Sequence, residues 1–587
     1  MIVRSASIAM VCLFAAWLAS VQPTARPAAG ADAPAEGVGG LLETLPEDID
    51  LAVVVRKGAA IRASPWGDAA GKFLGDAGTM AEMVKAWEGL AGQMGWSSNE
   101  AFDRLLGGRV AVVSKGVGEG NDRRWALLSD VSAETEQRLK ERLLAAPRAI
   151  VEGHQILTLE NGEYELATHH WDAGGRGAGA SRVTLVLGAT GKGELFDEIL
   201  RRLTPPAKGA PEARTLAGLD VMAQVREAER LGGVDAPMVM FIGALGGGGG
   251  GSAWGDFILL SGQPVLDDAT GRGGATWRSR VVVRQRARRE ELLAIEATSD
   301  ASFRALSSGS LLAVVQNAPL PRVIGSWARF TTIGALLPLP DEAKRAMGSN
   351  QAAVCRVFEP GGRVSCSFGF RSSDTCGLAR SLDGPIAAWI SRVERQLGVE
   401  TAAARDYAGL APNAVRVAPF ADGGDSAVGL ISSRPLVVSW VYPSWAVGNG
   451  GGAGGVGAPG DGAESRPGWW VVNVSQSARV GGVGAEDMGG LTAGQIVRTD
   501  ADALVSGGAA RGGAETARWV WLATARPSAV ERLLPEAIPD VGGVRSALRR
   551  LDWLDMRLKI TEAGDVQGDL DVRLAPTPAG AGTAAGK

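Results

Sequence analysis

Short apolar runs bounded by turn residues recur along the chain, and they predict strands. Leu51–Val55 is a continuous aliphatic run that follows a polar turn, which is the pattern of a buried strand. Helical spacing of apolar residues appears between such runs, most clearly over residues 79–94. There Thr79 and Glu82 form a capping box at the start of the helix. Strands and helices mixed in this way predict an α+β fold.

A β-hairpin closed by Asn161-Gly162 is the firmest local prediction. Both turn residues accept the positive φ that a two-residue hairpin turn requires. Counting outward from the turn places Leu157 opposite Leu166 and His154 opposite His169. Because side chains alternate along a strand, the leucines share one face, which we expect to be buried, and the two histidines share the other.

A second hairpin is predicted from Gln351–Phe358 and Arg363–Phe370, joined by Glu359-Pro-Gly-Gly362. Pro-Gly suits the central positions of a type II turn. Counting outward places Cys355 opposite Cys366, on a face that we expect to point into apolar packing. A disulfide between them fits an oxidising compartment, and two buried thiols fit the same pattern.

Matches between the two halves of the chain predict two related lobes. Leu312–Val315 repeats the lettering of Leu51–Val54, and Arg518–Leu522 is similar to Arg124–Leu128. Each lobe is expected to consist of antiparallel hairpins and meanders packed with helices. The expected lobes are 32–300 and 301–575, with flexible Gly-rich insertions near 246–251 and 448–468 and a disordered tail over 576–587.

The N-terminus has the order of segments found in secretory signal peptides. Arg4 precedes the apolar run Ile8–Ala19, and small residues end in Ala29-Gly-Ala31. The apolar run has about 12 residues, whereas a membrane-spanning helix needs roughly 20. We therefore expect residues 1–31 to be a signal peptide cleaved after Ala31, with retention as an anchor as the alternative. Cleavage would release a periplasmic or extracellular protein without a membrane span.

The chain resembles uncharacterised exported bacterial proteins of a family of unknown function. The resemblance lies mainly in residues 41–200 and is carried by Leu45-Pro46 before the first strand, Ser64-Pro65 in the first helix, and Phe102–Val112. It implies export and a lobed α+β body. It implies no functional residue, because such a family has no established activity.

Charge and motif composition exclude several functions. The 60 Lys and Arg residues balance 64 Asp and Glu residues without a basic stripe, so we expect no nucleic-acid partner. Gly188–Gly193 lies between a predicted strand and helix, as a phosphate-binding loop does. However, Val186 replaces the first glycine of that motif, and Gly193 replaces its Ser or Thr. The G-x-S-x-G motif of serine hydrolases does not occur in the sequence.

The three histidines of the chain lie on or beside the Asn-Gly hairpin. His154 and His169 are expected close enough to hold one metal ion, with zinc as the candidate and Asp172 as a third ligand. His170 points to the other face. The same spacing also fits an incidental pair of exposed histidines.

The sequence therefore predicts an exported, non-catalytic binding or scaffolding protein of the cell envelope, with no cofactor. The alternative is a metal-dependent or other hydrolase centred on His154 and His169. A further possibility is an envelope protein partner bound by exposed tryptophans beside the Gly-rich segments, although these residues fit a core equally well. The tryptophans are Trp254, Trp445, Trp469 and Trp470.

Overall fold

The structure is a computed structural model of the 587-residue chain. It describes residues 44–56, 58–64, 66–67, 88–89, 91–115, 124–142, 146–151, 153–158, 164–171, 182–189, 194–204, 215–216, 238–243, 257–265, 275–284, 289–317, 347–358, 363–374, 403–404, 413–417, 436–441, 468–476, 499–500, 503–504, 515–531 and 548–575. The predicted signal peptide, both glycine-rich tracts up to residue 467, and the C-terminal tail from residue 576 lie outside these residues, as do Trp254 and Trp445.

The chain divides into two compact units. The first comprises Met1–Ala287, Asp540–Asp552 and Asp569–Lys587, and the second comprises Arg288–Pro539 and Trp553–Gly568. Each unit is mostly antiparallel sheet with helices, which confirms the mixed α+β class. No helix among the described residues has both the length and the apolar character needed to span a membrane.

Most strands of the first unit lie before residue 287 in the chain. They are β1 Leu51–Val55, β2 Val110–Lys115, β3 Arg124–Val131, β4 Ala146–Val151, β5 His154–Thr158, β6 Tyr164–Trp171, β7 Arg182–Ala189, β8 Met238–Gly243, β9 Phe257–Val265 and β10 Ala275–Arg284. Its helices are α1 Gly58–Ala63, α2 Ser98–Leu105, α3 Ala133–Arg142 and α4 Glu194–Leu203.

Strand β1 lies in the middle of the first unit's sheet, between β2 and β8. Val53 pairs with Val112 on one side and with Met240 on the other. The sheet continues from β2 through β3, β7, β6 and β5 to β4, and from β8 through β9 to β10. All of these pairings are antiparallel. All five residues of β1 are buried, as the aliphatic run predicts.

Both faces of this sheet are covered. Ala52 and Val54 of β1 belong to a hydrophobic cluster that includes Phe196 and Ile199 of α4. The alternate residues of β1 belong to a second cluster, which includes Phe102 of α2. Because side chains alternate along a strand, a continuous aliphatic run supplies both clusters at once. The sheet therefore has no large solvent-facing side at its centre.

Serine caps begin two of the covering helices. Ser97 Oγ accepts a hydrogen bond from the backbone N–H of Glu100 at 3.1 Å, at the start of α2. Ser132 Oγ accepts one from the backbone N–H of Thr135 at 3.1 Å, at the start of α3. These bonds satisfy N–H groups that a helix leaves without partners in its first turn.

The second unit contains the remaining elements, apart from residues 551–552 and 569–574 of its last two strands, which belong to the first unit. Its strands are β11 Thr298–Ser299, β12 Leu312–Gln316, β13 Met347–Phe358, β14 Arg363–Ser372, β15 Ala403–Ala404, β16 Asn413–Val417, β17 Leu436–Val441, β18 Gly468–Gln476, β19 Thr516–Ala517, β20 Trp519–Ala525, β21 Leu551–Ile560 and β22 Val566–Leu574. Its helices are α5 Arg289–Leu293, α6 Ala301–Ser307 and α7 Pro527–Glu531.

Strand β12 lies between β13 and β20. From β13 the sheet runs through β14, β18, β17 and β16 to β15, and β20 pairs with β21 on the other side. The core of this unit lies on the face of Ala313 and Val315, where Phe303 of α6 packs. Trp469 packs against this core. This packing agrees with the core interpretation of Trp469.

A substitution of Gly188 tests how closely β7 approaches α4. A Cβ atom at this position would lie 2.8 Å from Cδ2 of Phe196, which is itself fully buried. We predict that Gly188→Ala lowers the free energy of unfolding by about 1–3 kcal/mol, because overpacking forces neighbouring groups apart. Urea denaturation measures this change.

Gly92, in a helical segment, is the matched control, because a Cβ atom there would meet nothing within 4 Å. Gly92→Ala should leave stability unchanged or raise it by about 0.5–1 kcal/mol. Equal effects of the two substitutions would contradict the close approach of β7 to α4.

Candidate functional site

The Asn-Gly hairpin brings His154 and His169 together. Leu157 pairs with Leu166 across β5 and β6, which confirms the predicted register. Counting along the strands from this pair sets the two histidines opposite each other. Nε2 of His154 lies 2.9 Å from Nδ1 of His169, and the ring centroids are 5.1 Å apart. This is hydrogen-bonding distance, so one nitrogen donates and the other accepts.

The histidines do not form an exposed pair, which corrects one of the two interpretations of their spacing. His154 is only 8% exposed. On the same face of the hairpin, Ile156 and Ala167 belong to the hydrophobic cluster that contains Phe196 of α4. The leucine face is buried too, because it belongs to the cluster on the other side of the sheet. The histidines therefore lie at the margin of a core.

A chain of polar contacts continues from His169 across the sheet. The indole ring of Trp171 meets the His169 ring edge-on, with centroids 4.6 Å apart. Trp171 Nε1 donates to Thr184 Oγ1 at 2.8 Å, and this hydroxyl donates to Asp130 Oδ1 at 2.8 Å. Arg109 Nε donates to Asp130 Oδ2 at 2.7 Å. Each polar group is thereby held by the next.

Strand register places these residues in one row. His169 pairs with Thr184 across β6 and β7, and Thr184 pairs with Asp130 across β7 and β3. No local sequence signal predicts this row. The connection between β6 and β7 is rich in glycine and carries no turn signal of defined length, so it does not fix the register between them.

His170 lies on the opposite face, as predicted. It is mostly exposed, and its Nε2 lies 3.1 Å from Oε1 of the buried Glu136 on α3. Burial raises the pKa of Glu136, but hydrogen bonds from Lys140 and Thr168 and the nearby positive charge lower it more. The net result is a Glu136 pKa below its ordinary value. This carboxylate is held as an anion that fastens α3 to the hairpin.

The Nδ1 atom of His154 is the unusual atom of the pair. It is buried and has no hydrogen-bond partner in the part of the chain that the structure describes. A proton on this nitrogen would be a buried donor without an acceptor, which costs about 1–3 kcal/mol. The favoured neutral arrangement therefore has His154 Nε2–H donating to His169 Nδ1.

The predicted third metal ligand, Asp172, lies outside the described residues. Among the residues that are described, no group of three His, Cys, Asp or Glu side chains could hold a metal ion. Zinc bonds to imidazole nitrogen are about 2.0–2.1 Å long, so two such ligands in a tetrahedral site lie roughly 3.3 Å apart. The 2.9 Å separation of the two histidine nitrogens is close to this value.

The second hairpin has the predicted register, with Cys355 opposite Cys366, and a disulfide joins them. The face of the cysteines is buried only in part, because Phe368 is buried whereas both cysteines are half-buried. The core takes the other face, where Ala352 and Val354 are buried. That face also carries serines and an arginine, which made it look solvent-exposed in the sequence.

An ion pair explains why the face of β13 that carries Arg356 can pack against the core. Arg356 Nη1 lies 2.6 Å from Oδ1 of Asp500, which is 2% exposed. Burial raises the pKa of Asp500, and the attraction of Arg356 and a hydrogen bond from Ser367 only partly oppose this rise. Neither residue could be predicted from the sequence, because nothing in the spacing of residues 356 and 500 connects them.

Comparisons of the chain with protein-family models, with curated proteins and with solved structures found no match.

Substitution of Thr184 tests the hydrogen bonds that run from Trp171 to Asp130. Thr184 is fully buried and connects Trp171 to Asp130. Thr184→Val keeps the shape but removes the hydroxyl, so the indole N–H loses its acceptor. We predict a loss of about 1–3 kcal/mol in the free energy of unfolding, measured by urea denaturation.

Thr184→Ser is the control, because it retains the hydroxyl group and should cost less than the valine variant. A valine variant that is as stable as the unsubstituted protein would show that the hydrogen bonds of the row contribute nothing.

Proposed function

We propose that this chain is an exported, non-catalytic binding or scaffolding protein of the cell envelope. The disulfide between Cys355 and Cys366 is the observation that carries the location, because disulfides persist in oxidising compartments and are rare in the cytoplasm. The signal-like segment over residues 1–31 is independent support. A partner within the envelope is part of this proposal.

The engagement of ionisable groups supports a non-catalytic role. Both carboxylate oxygens of Asp130 accept hydrogen bonds, from Thr184 and from Arg109. Glu136 is bound to Lys140, and Asp500 to Arg356. General acid–base catalysis needs groups that exchange protons with a substrate. These carboxylates instead tie helices and strands together.

Two related lobes, an arrangement suited to a scaffold, are part of the proposal. The strand order in the first unit is β4, β5, β6, β7, β3, β2, β1, β8 and β9. In the second unit the order is β15, β16, β17, β18, β14, β13, β12, β20 and β21. These orders are the same when β1 is matched to β12. The match supports the similarity of Leu51–Val54 to Leu312–Val315. It makes β20 the equivalent of β8, however, so it does not support the similarity of Arg518–Leu522 to Arg124–Leu128 in β3.

A short additional pairing also recurs. In the first unit Pro46, before β1, forms an antiparallel bridge with Thr215, before β8. In the second unit β11, before β12, pairs antiparallel with β19, before β20. In both units, therefore, the segment before the central strand pairs with the segment before the eighth strand, β8 or β20. A duplicated unit accounts for this agreement.

An ion pair recurs at matching positions as well. Leu51 pairs with Ser114, and Leu312 pairs with Cys355, so the next residues, Lys115 and Arg356, are equivalent.

Lys115 Nζ lies 3.6 Å from Oε2 of Glu198, on the helix between β7 and β8. Arg356 binds Asp500, which lies between β18 and β20. Burial lowers the pKa of Lys115, but Asp48 and Glu198 raise it more, so the net pKa is raised. In each unit, a cation on the second strand, β2 or β13, therefore forms an ion pair with an acidic residue of a later helical segment.

A hydrolase centred on His154 and His169 is the second candidate. The 2.9 Å separation of their nitrogens favours it, since two imidazoles at this distance can share a metal ion. The buried Nδ1 of His154 opposes it, because ligating histidines almost always donate their other N–H to an acceptor.

Expression of the full chain in a bacterial host with an oxidising periplasm tests the first proposal. We expect the product in the periplasmic or external fraction, with an N-terminus at Asp32 by mass spectrometry. We also expect Cys355 and Cys366 to be protected from alkylation until a reductant is added.

A Cys355→Ser variant is the control, because it should leave Cys366 open to alkylation without altering export. Recovery of the chain in the cytosol with Met1 attached would overturn the proposed location. Hydrolysis of generic ester, peptide or phosphoester substrates that His169→Gln abolishes would overturn the non-catalytic role in favour of the second candidate.

A further inference from the structure

We propose that Nε2 of His154 and Nδ1 of His169 together bind a divalent transition-metal ion of the zinc, nickel and copper class. Imidazole nitrogen is a preferred ligand for these three ions, whereas magnesium and calcium prefer oxygen. Metal binding at this site requires no catalytic activity. It is a property beyond the proposed envelope role, and it does not depend on that role.

The two ligand atoms are held in place before any metal binds. His154 pairs with Val151 of β4 and His169 pairs with Thr184 of β7, which fixes both backbones, and burial restricts the ring of His154. The nitrogens need to separate from 2.9 Å to roughly 3.3 Å to occupy two positions of a tetrahedral zinc site. Small rotations of the two rings supply this change without moving the backbone.

Neighbouring groups orient the exposed side of the pair. The ring of His169 lies nearly perpendicular to the indole ring of Trp171, whose own position is fixed by its hydrogen bond to Thr184. The charge of Asp130 beyond it is balanced by Arg109. The network therefore positions the ligand ring without placing an uncompensated charge in the row.

The position of one proton limits the affinity. A metal at Nε2 of His154 requires the proton on Nδ1, which is buried without an acceptor among the described residues. This weakens binding on the order of ten- to a hundredfold relative to a site with a satisfied second nitrogen. The site should therefore bind metal moderately, with copper bound more tightly than nickel or zinc.

Metal titration of the chelator-treated full chain tests the proposal. CuCl₂, NiCl₂ and ZnCl₂ are added separately, and binding is followed by calorimetry and by tryptophan fluorescence. We expect saturable binding of one ion, weakened at least about tenfold by His169→Gln. Copper should also quench the emission of Trp171, so Trp171→Phe should remove part of the copper-induced quenching.

His170→Gln is the matched control, because it removes a histidine from the neighbouring position on the opposite face. It should leave the dissociation constant within about twofold, which would exclude nonspecific binding to the hairpin. Thermal unfolding of both variants without metal verifies that each is folded, and the partly exposed His169 makes its variant safer than one at the buried His154.

The proposal is overturned if no saturable binding occurs, if His169→Gln binds as tightly as the unsubstituted protein, or if His170→Gln weakens binding equally. None of these results bears on export or on the disulfide, so failure of the metal site is distinguishable from failure of the envelope role.

Discussion

A central strand buried on both faces and paired on both edges is the constraint on which the first unit depends. β1 satisfies it with five aliphatic residues, whose alternate side chains enter two separate cores. Water has no access to its peptide groups, so both edges need partners, and β2 and β8 provide them. The helices then cover the faces that this arrangement leaves apolar.

The candidate site is a consequence of the same register. Each antiparallel pairing transmits position to the next strand, so that residues distant in sequence form a row from His169 to Asp130. A slip of one residue in β7 would turn Thr184 to the other face and separate Trp171 from its acceptor. The site is therefore as well defined as the sheet, although its residues come from unconnected segments.

Both hairpins could be predicted because Asn-Gly and Pro-Gly turns determine the pairing of the residues beside them. The burial of His154 could not, because the prediction assigned one buried face to the hairpin, whereas both faces of this sheet are covered. On β13 the sequence favoured the face of Cys355 as the core. Arg356 instead enters the interior because Asp500, 144 residues away, compensates its charge. Contacts of this kind have no local sequence signal.

Native-state hydrogen exchange tests the central constraint most directly. If β1 is the doubly covered centre of the sheet, the amides of Val53 and Val54 exchange only on global unfolding, and their exchange free energy equals that from urea denaturation. Exchange of these amides at a much lower free energy, comparable to that of helix termini, would contradict this account of the fold.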